Sequence, residues 1–207
     1  MKKMSTGKSL LLFLSVTFLS LSTDLWADKK DAPFRPEAAE TFATKQTIDG
    51  LTIAVQPFDD PEEARVAFGK LNPYEHGVLP VLVVMKNNGK GTVRFENMQV
   101  MYVAPRSRKV EATPAGDVLY LKAGGRPKVS NSPIPTGGPR IKISKNPLKN
   151  DVIVERAFSA KMLPPGDSAH GFFYFQTGHS RGTSLYISGI REAGSGKELF
   201  FFEVPLD

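Results

Sequence analysis

Val78-Leu79-Pro80-Val81-Leu82-Val83-Val84-Met85 is the most apolar β-branched run of the chain past its leader, and Asn87-Asn88-Gly89-Lys90-Gly91 comes just after it. Eight residues with no polar alternation read as a buried strand. The Asn- and Gly-rich stretch that follows is a turn signal, because these residues tolerate the backbone angles a tight reversal needs. The chain then returns through Thr92-Val93-Arg94-Phe95. From this point outward the pattern is antiparallel β.

Upstream, Leu51-Thr52-Ile53-Ala54-Val55 alternates and is rich in β-branched residues, as a half-buried strand should be. Asp60-Pro61-Glu62-Glu63 marks a helix start: a capping Asp, Pro at the first helical position and two acids in the first turn. Gly69 and then Asn72-Pro73 end that helix. Downstream, residues 99–103 alternate up to Pro105. Residues 113–121 admit two readings, a short helix capped at Thr113-Pro114 or a strand at Val118-Leu119-Tyr120-Leu121. Residues 152–163 return to a β-branched pattern and stop at the turn Leu163-Pro164-Pro165-Gly166-Asp167. Gly171-Phe172-Phe173-Tyr174-Phe175 is a strand. The end of the chain reads as a hairpin, residues 184–191 and 198–204 around Ala193-Gly194-Ser195-Gly196. These elements predict an all-β fold, an immunoglobulin-like antiparallel β-sandwich of seven or eight strands with one or two short helices.

Three features together, residues 78–88, Leu163-Pro164-Pro165-Gly166 leading into Gly171-Phe172-Phe173-Tyr174-Phe175, and the closing hairpin of 182–206, resemble uncharacterised bacterial secreted proteins with an immunoglobulin-like domain. The resemblance spans residues 48–206. It implies the sandwich fold and carries over no catalytic residues. Residues 123–150 have no counterpart in the pattern.

The first 27 residues have the order of a secretory signal peptide. Lys2, Lys3 and Lys8 form a positive start, residues 9–21 are apolar to weakly polar, and Leu25-Trp26-Ala27 offers a small residue for cleavage. The apolar stretch of about 13 residues is short of the ~20 that a spanning helix requires. Residues 28–47 read as a flexible lead-in and residues 48–207 as one domain. Cleavage would remove three lysines and Asp24, so the net charge falls from +6 to +4. There is no cysteine, hence neither a thiol for lipid attachment nor a disulfide framework, and the fold must rest on its core.

Motifs with a catalytic look fail on their context. Gly178-His179-Ser180-Arg181-Gly182 matches the G-x-S-x-G nucleophile elbow, but the elbow needs a helix after the serine and a histidine further on. Thr183-Ser184-Leu185-Tyr186-Ile187-Ser188 is β-patterned, and the three histidines, His76, His170 and His179, all precede Ser180. Gly194-Ser195-Gly196-Lys197-Glu198 lacks both the upstream glycine and the Ser or Thr of a phosphate-binding loop. His170 and His179 are nine residues apart, some 30 Å along an extended strand at about 3.3 Å per residue, too far to share a metal. Asp59, Asp60, Glu62 and Glu63 suggest a helix cap with favourably placed acids before they suggest a cation site. No catalytic, metal or cofactor site is expected.

The informative segment is basic. Lys122, Arg126, Lys128, Arg140, Lys142, Lys145 and Lys149 fall within residues 122–150, which hold no acid; without these seven the mature charge of +4 becomes −3. Five prolines and four glycines lie in the same stretch. A connection this long within one domain is commonly a functional or disordered loop. The charge points to an anionic envelope component, such as lipid headgroups in peripheral membrane contact, or to an acidic protein partner. Nucleic acid is not expected, because the segment has no aromatic residue to stack on bases. A second hint is aromatic: residues 171–175 and 199–202 present apolar side chains to both faces, which calls for cover by the chain itself or by a partner.

The expected function is therefore a non-catalytic exported, periplasmic binding or interaction module. A structural subunit of an envelope assembly is the alternative, and a serine hydrolase built on Ser180 is the remaining reading. Mature protein recovered from the producing cell should begin near Asp28, as N-terminal sequencing would show. Membrane-bound protein that retains Met1 would make residues 9–21 an anchor.

Overall fold

The structure, a computed structural model, describes residues 34–105, 108–121 and 146–207. The expected signal peptide and the start of the lead-in lie outside the described residues. The strands in chain order are β1 (Lys45–Ile48), β2 (Leu51–Pro57), β3 (Leu79–Asn87), β4 (Val93–Arg94), β5 (Gln99–Ala104), β6 (Arg108–Glu111), β7 (Met162–Leu163), β8 (Ser168–Phe175), β9 (Ser184–Ser188), β10 (Arg191–Glu192) and β11 (Phe202–Pro205). They form three antiparallel sheets, β1-β2-β3-β8, β10-β4-β7 and β11-β9-β5-β6. The helices are short: α1 (Pro61–Phe68), α2 (Ala115–Val118) and α3 (Val152–Glu155).

Strand β3 is the apolar run of residues 78–85, and its burial on both faces explains the missing alternation. It pairs with β2 from Leu51↔Asn87 to Pro57↔Val81, and with β8 from Leu79↔Phe175 to Lys86↔Ser168. One face, Leu79, Val81, Val83 and Met85, packs with Val100 and Tyr102 of β5, Leu185 and Ile187 of β9, and Phe202 and Val204 of β11. The other face, Leu82 and Val84, lies with Phe172 and Tyr174 of β8 in a second cluster, which Phe68, Val118, Leu148 and Ile153 complete. Each such side chain contributes about 1.5–3 kcal/mol when fully buried, so the two layers supply most of the driving force.

Helix α1 follows its sequence signals. The Asp60 carboxylate accepts from the amides of Glu62 at 2.8 Å and Glu63 at 3.3 Å, satisfying donors that a helix start leaves free. Gly69 closes the helix at φ 66°. The outer edge of β8 is covered in pieces. Thr113 N donates to Tyr174 O at 2.7 Å, Phe172 N to Arg156 O at 2.8 Å and Phe158 N to Phe172 O at 3.1 Å. A side chain at Gly171 would run into the Phe158 backbone, so this crossing requires glycine.

Several elements differ from the sequence reading. The strands are more numerous and shorter than the seven or eight expected. Residues 152–155, β-branched and expected in a strand, form a helical turn. The Asn150 side chain accepts from Val152 N at 3.1 Å, and Ile153 is buried in the second cluster. Of the two readings for 113–121 the helix holds, but only for Ala115–Val118. The lead-in expected over 28–47 enters the fold from Phe34: Ala39 is buried, Phe34 packs on Phe58 and Phe172, and β1 pairs with β2. The expected hairpin strand 198–204 is interrupted: Glu198 bridges Arg191 and Leu199 N donates to Ile190 O at 2.8 Å, Phe200 and Phe201 leave the pairing, and β11 pairs with β9.

Tyr174 Oη, buried, donates to Ile153 O at 2.7 Å and ties α3 to the sheet. Burial raises the pKa of this phenol far above its ordinary value. Tyr174→Phe orphans the Ile153 carbonyl and should lower the unfolding free energy by about 1–3 kcal/mol in urea titrations. A loss below about 0.5 kcal/mol would show that this bond does not hold α3.

Candidate functional site

The loop carrying Ser180 is fastened by two tyrosine hydroxyls. Tyr74 Oη accepts from His179 N and Tyr102 Oη from Ser180 N, each at 3.2 Å. Tyr102 Oη also lies 3.4 Å from the Gly178 carbonyl and 3.5 Å from His179 Nδ1. At the far end, the Asp207 carboxylate accepts from Gly182 N at 2.8 Å and Thr183 N at 3.3 Å. Four amides of this loop, those of His179, Ser180, Gly182 and Thr183, are thus engaged within the protein. Ser180 is exposed, and strand β9 follows it where a nucleophile elbow has a helix. His170 sits in β8 opposite Val84 and His76 in a short 3-10 turn, Tyr74–His76, on another part of the chain.

The other motifs resolve into local structure. In the turn at 194–198, Ser195 Oγ donates to Glu192 at 2.5 Å and accepts from Lys197 N at 3.1 Å, Lys197 Nζ lies 3.2 Å from Asp49, and Arg191 pairs with Glu198 at 3.0 Å. Among the acids at the start of α1, Asp60 caps the helix, Glu62 pairs with Arg65 at 2.6 Å and Glu63 accepts from Gln56 Nε2 at 3.0 Å. Among the described residues no cluster of three or more His, Asp or Glu could hold a metal ion.

Of the seven cationic candidates, Lys122, Arg126, Lys128, Arg140, Lys142 and Lys145 lie outside the described residues. Lys149 is described and exposed. What the structure places is the pair of ends around them. Asn146 Nδ2 donates to Leu121 O at 2.8 Å and to Leu119 O at 3.1 Å, so the chain leaves and re-enters the body at one point. Asn146 Oδ1 accepts from Leu148 N at 3.1 Å, and Leu148 is buried against the second core cluster. The sequence reading left both residues within the basic loop and gave neither a structural role. Asn146-Pro147 was the available signal, a dipeptide that starts turns.

The two-faced aromatic strands part company. In β8 both faces are covered, Phe172 and Tyr174 by the helices and Phe175 by the opposing sheet. In residues 199–202, Leu199 and Phe202 turn inward, while Phe200 and Phe201 remain 72% and 49% exposed. Phe201 stacks on Tyr186 at 5.1 Å, and Lys109 Nζ lies 5.9 Å from the same Tyr186 ring. Of the two covers expected, the chain's own does not close over Phe200 and Phe201 among the described residues. Residues 200–201 have left the pairing, and among the described residues Phe200 stays largely uncovered. Among the described residues no helix is long and apolar enough to cross a membrane.

No protein-family model matches the sequence, and no curated protein matches it. The chain has structural similarity to uncharacterised bacterial proteins. The YcdA protein of Bacillus subtilis, a candidate lipoprotein, aligns over 78% of this chain at 12% identity and a TM-score of 0.37, and this chain spans only 38% of its length. A functionally unknown protein of Listeria monocytogenes aligns over 79% of this chain and 81% of its own at 12% identity and a TM-score of 0.33. The archaellum periplasmic stator complex of FlaF and FlaG from Sulfolobus acidocaldarius aligns over 59% of this chain and 76% of its own, at 14% identity and a TM-score of 0.28.

Because the Ser180 side chain is exposed and only its amide is held, Ser180→Ala should change stability by less than about 0.5 kcal/mol. Tyr102→Phe removes the acceptor of that amide and should cost about 1 kcal/mol. Selective labelling of Ser180 by a fluorophosphonate probe would contradict the reading of residues 178–182 as a plain loop.

Proposed function

We propose that the protein is an exported, non-catalytic interaction module, an immunoglobulin-like sandwich whose basic segment docks on an anionic component of the cell envelope. The observation that carries this reading is the charge of the segment combined with its closure. Seven cations and no acid occupy residues 122–149, and Asn146 joins the two ends of that excursion to the helical layer. An excursion closed at its base can change without disturbing the core, which suits a recognition element. Its cations attract anionic headgroups over roughly a Debye length, about 8 Å at physiological ionic strength.

One further observation favours the second reading, a structural subunit of an envelope assembly. Phe200, Phe201 and Tyr186 form an aromatic surface on the chain, and aromatic residues are enriched where protein partners meet. The two readings predict different losses. Replacing residues 123–145 with a short Gly-Ser linker removes Arg126, Lys128, Arg140, Lys142 and Lys145 but keeps Asn146 and Leu148. This variant should fold, since loop length changes closure entropy only slightly. It should lose binding to phosphatidylglycerol vesicles, binding that in the native protein weakens steeply with salt and is absent on phosphatidylcholine. Binding that survives the replacement, or ignores salt, would overturn the proposal. A complex in the native envelope abolished by Phe200→Ser with Phe201→Ser, yet intact in the linker variant, would favour the structural subunit.

A further inference from the structure

A groove of about 450 Å³ lies between residues 34–43 and helix α1, over the outer face of β2 and β3. This size falls within the range of small-molecule sites. Phe58 and Leu82, both buried, border it; Phe34 and Phe42 line one side and Val66 the other. Val66 is 73% exposed, an apolar side chain at the lip of a surface helix that is otherwise charged there. Phe34 and Phe58 meet edge to face with centroids 6.0 Å apart.

A carboxyl group is set into this apolar surface. Glu63 lines the groove, and its Oε1 accepts one hydrogen bond, from Gln56 Nε2 at 3.0 Å. Among the described residues it forms no ion pair, whereas its neighbour Glu62 is paired with Arg65. Burial holds the Glu63 carboxyl above its ordinary pKa, and Asp60 and Asp59 push the same way, against the Gln56 hydrogen bond. The carboxylate is therefore a costly charge in an acidic neighbourhood, and a cation placed beside it would relieve that cost. Glu37 adds a second carboxylate to the lining; among the described residues Arg35 is its one cation, exposed to solvent, and the Arg156 guanidinium lies 5.8 Å from the Phe34 ring centroid. Aromatic faces attract cations as well as apolar groups.

We propose that this groove binds a small organic cation, an ammonium group on an apolar body, with the ammonium at Glu63 and the body among Phe34, Phe42, Phe58 and Val66. The lining includes neither Phe200 nor Phe201, and the site stands or falls independently of the two readings above. Its ligand carries the charge opposite to that of the anionic surface proposed above.

The test is an NMR titration of the purified protein with phenethylammonium, against 2-phenylethanol as the neutral counterpart and phenylacetate as the anionic one. Phenethylammonium should shift backbone resonances within residues 34–43, 56 and 61–66, with an affinity about tenfold above that of the alcohol and further above that of phenylacetate. Glu63→Gln should erase the preference for the amine while leaving the weak apolar binding shared with the alcohol. Val66→Lys, on an exposed position that does not bear on folding, should weaken the amine at least as much as the alcohol. Equal affinities for amine and alcohol in the native protein would overturn the proposal. So would shifts confined to other residues, or no saturable shift up to about 10 mM phenethylammonium. An amine preference that persists in Glu63→Gln would remove Glu63 from the site.

Discussion

Burial of β3 on both faces is the constraint from which the rest of the architecture follows. An antiparallel strand in a single sheet layer needs apolar side chains on one face only, and the exposed face is normally polar. Here Leu79, Val81, Val83 and Met85 demand cover on one side, and Leu82 and Val84 demand it on the other. The first demand is met by the sheet of β11, β9, β5 and β6. The second is met by three helices too short to be stable alone, together with Phe34, Phe42 and Leu148. The helices exist because the sheet needs cover, and their order in the chain reflects where apolar residues could be found for it.

The same economy governs the polar groups. Asn87, almost fully buried, uses its side chain completely: Nδ2 donates to Gly91 O and Leu163 O at 2.8 Å each, and Oδ1 accepts from Gly89 N at 2.9 Å. This one residue joins the turn after β3 to β7, in the small third sheet. Tyr74 and Tyr102 do similar work for residues 178–182, and Asn146 does it for the base of the basic segment. In each case a side chain from elsewhere in the chain satisfies backbone groups that regular pairing has left free. Loops held in this way can differ in sequence at their tips while their bases stay in place.

The aromatic pair at residues 200–201 and the acidic, aromatic-walled groove beside α1 share no residue and differ in chemistry. Of the groups that could support hydrolysis, His179 and the Asp207 carboxylate lie at the loop of Ser180, while His170, His76 and the acids of α1 lie on other elements. Ser180 is in a loop fastened through its own amide, His170 is mid-strand, and the acids of α1 serve as a cap, an ion-pair partner and a groove lining.

Features whose physics is complete within a few residues were legible in the sequence. The cap at Asp60, the turn after β3, strands β2, β5 and β8, and the charge of residues 122–150 depend on neighbours at short spacing, and the chain displays them directly. Features that depend on a distant partner were not. Residues 152–155 have strand-like side chains, but the helical turn buries Ile153 over Tyr174, a contact 21 residues away. The role of Asn146 rests on carbonyls 25 and 27 residues earlier, and the fastening of His179 on a hydroxyl 105 residues earlier. Phe200 and Phe172 look alike in sequence; one is exposed and the other buried only because helices cover β8 and nothing described covers residue 200. Local spacing determined which segments could be strands, turns and charged loops. Tertiary packing alone decided which apolar faces found cover and which polar groups found partners, because burial and hydrogen bonding act between residues that the sequence keeps far apart.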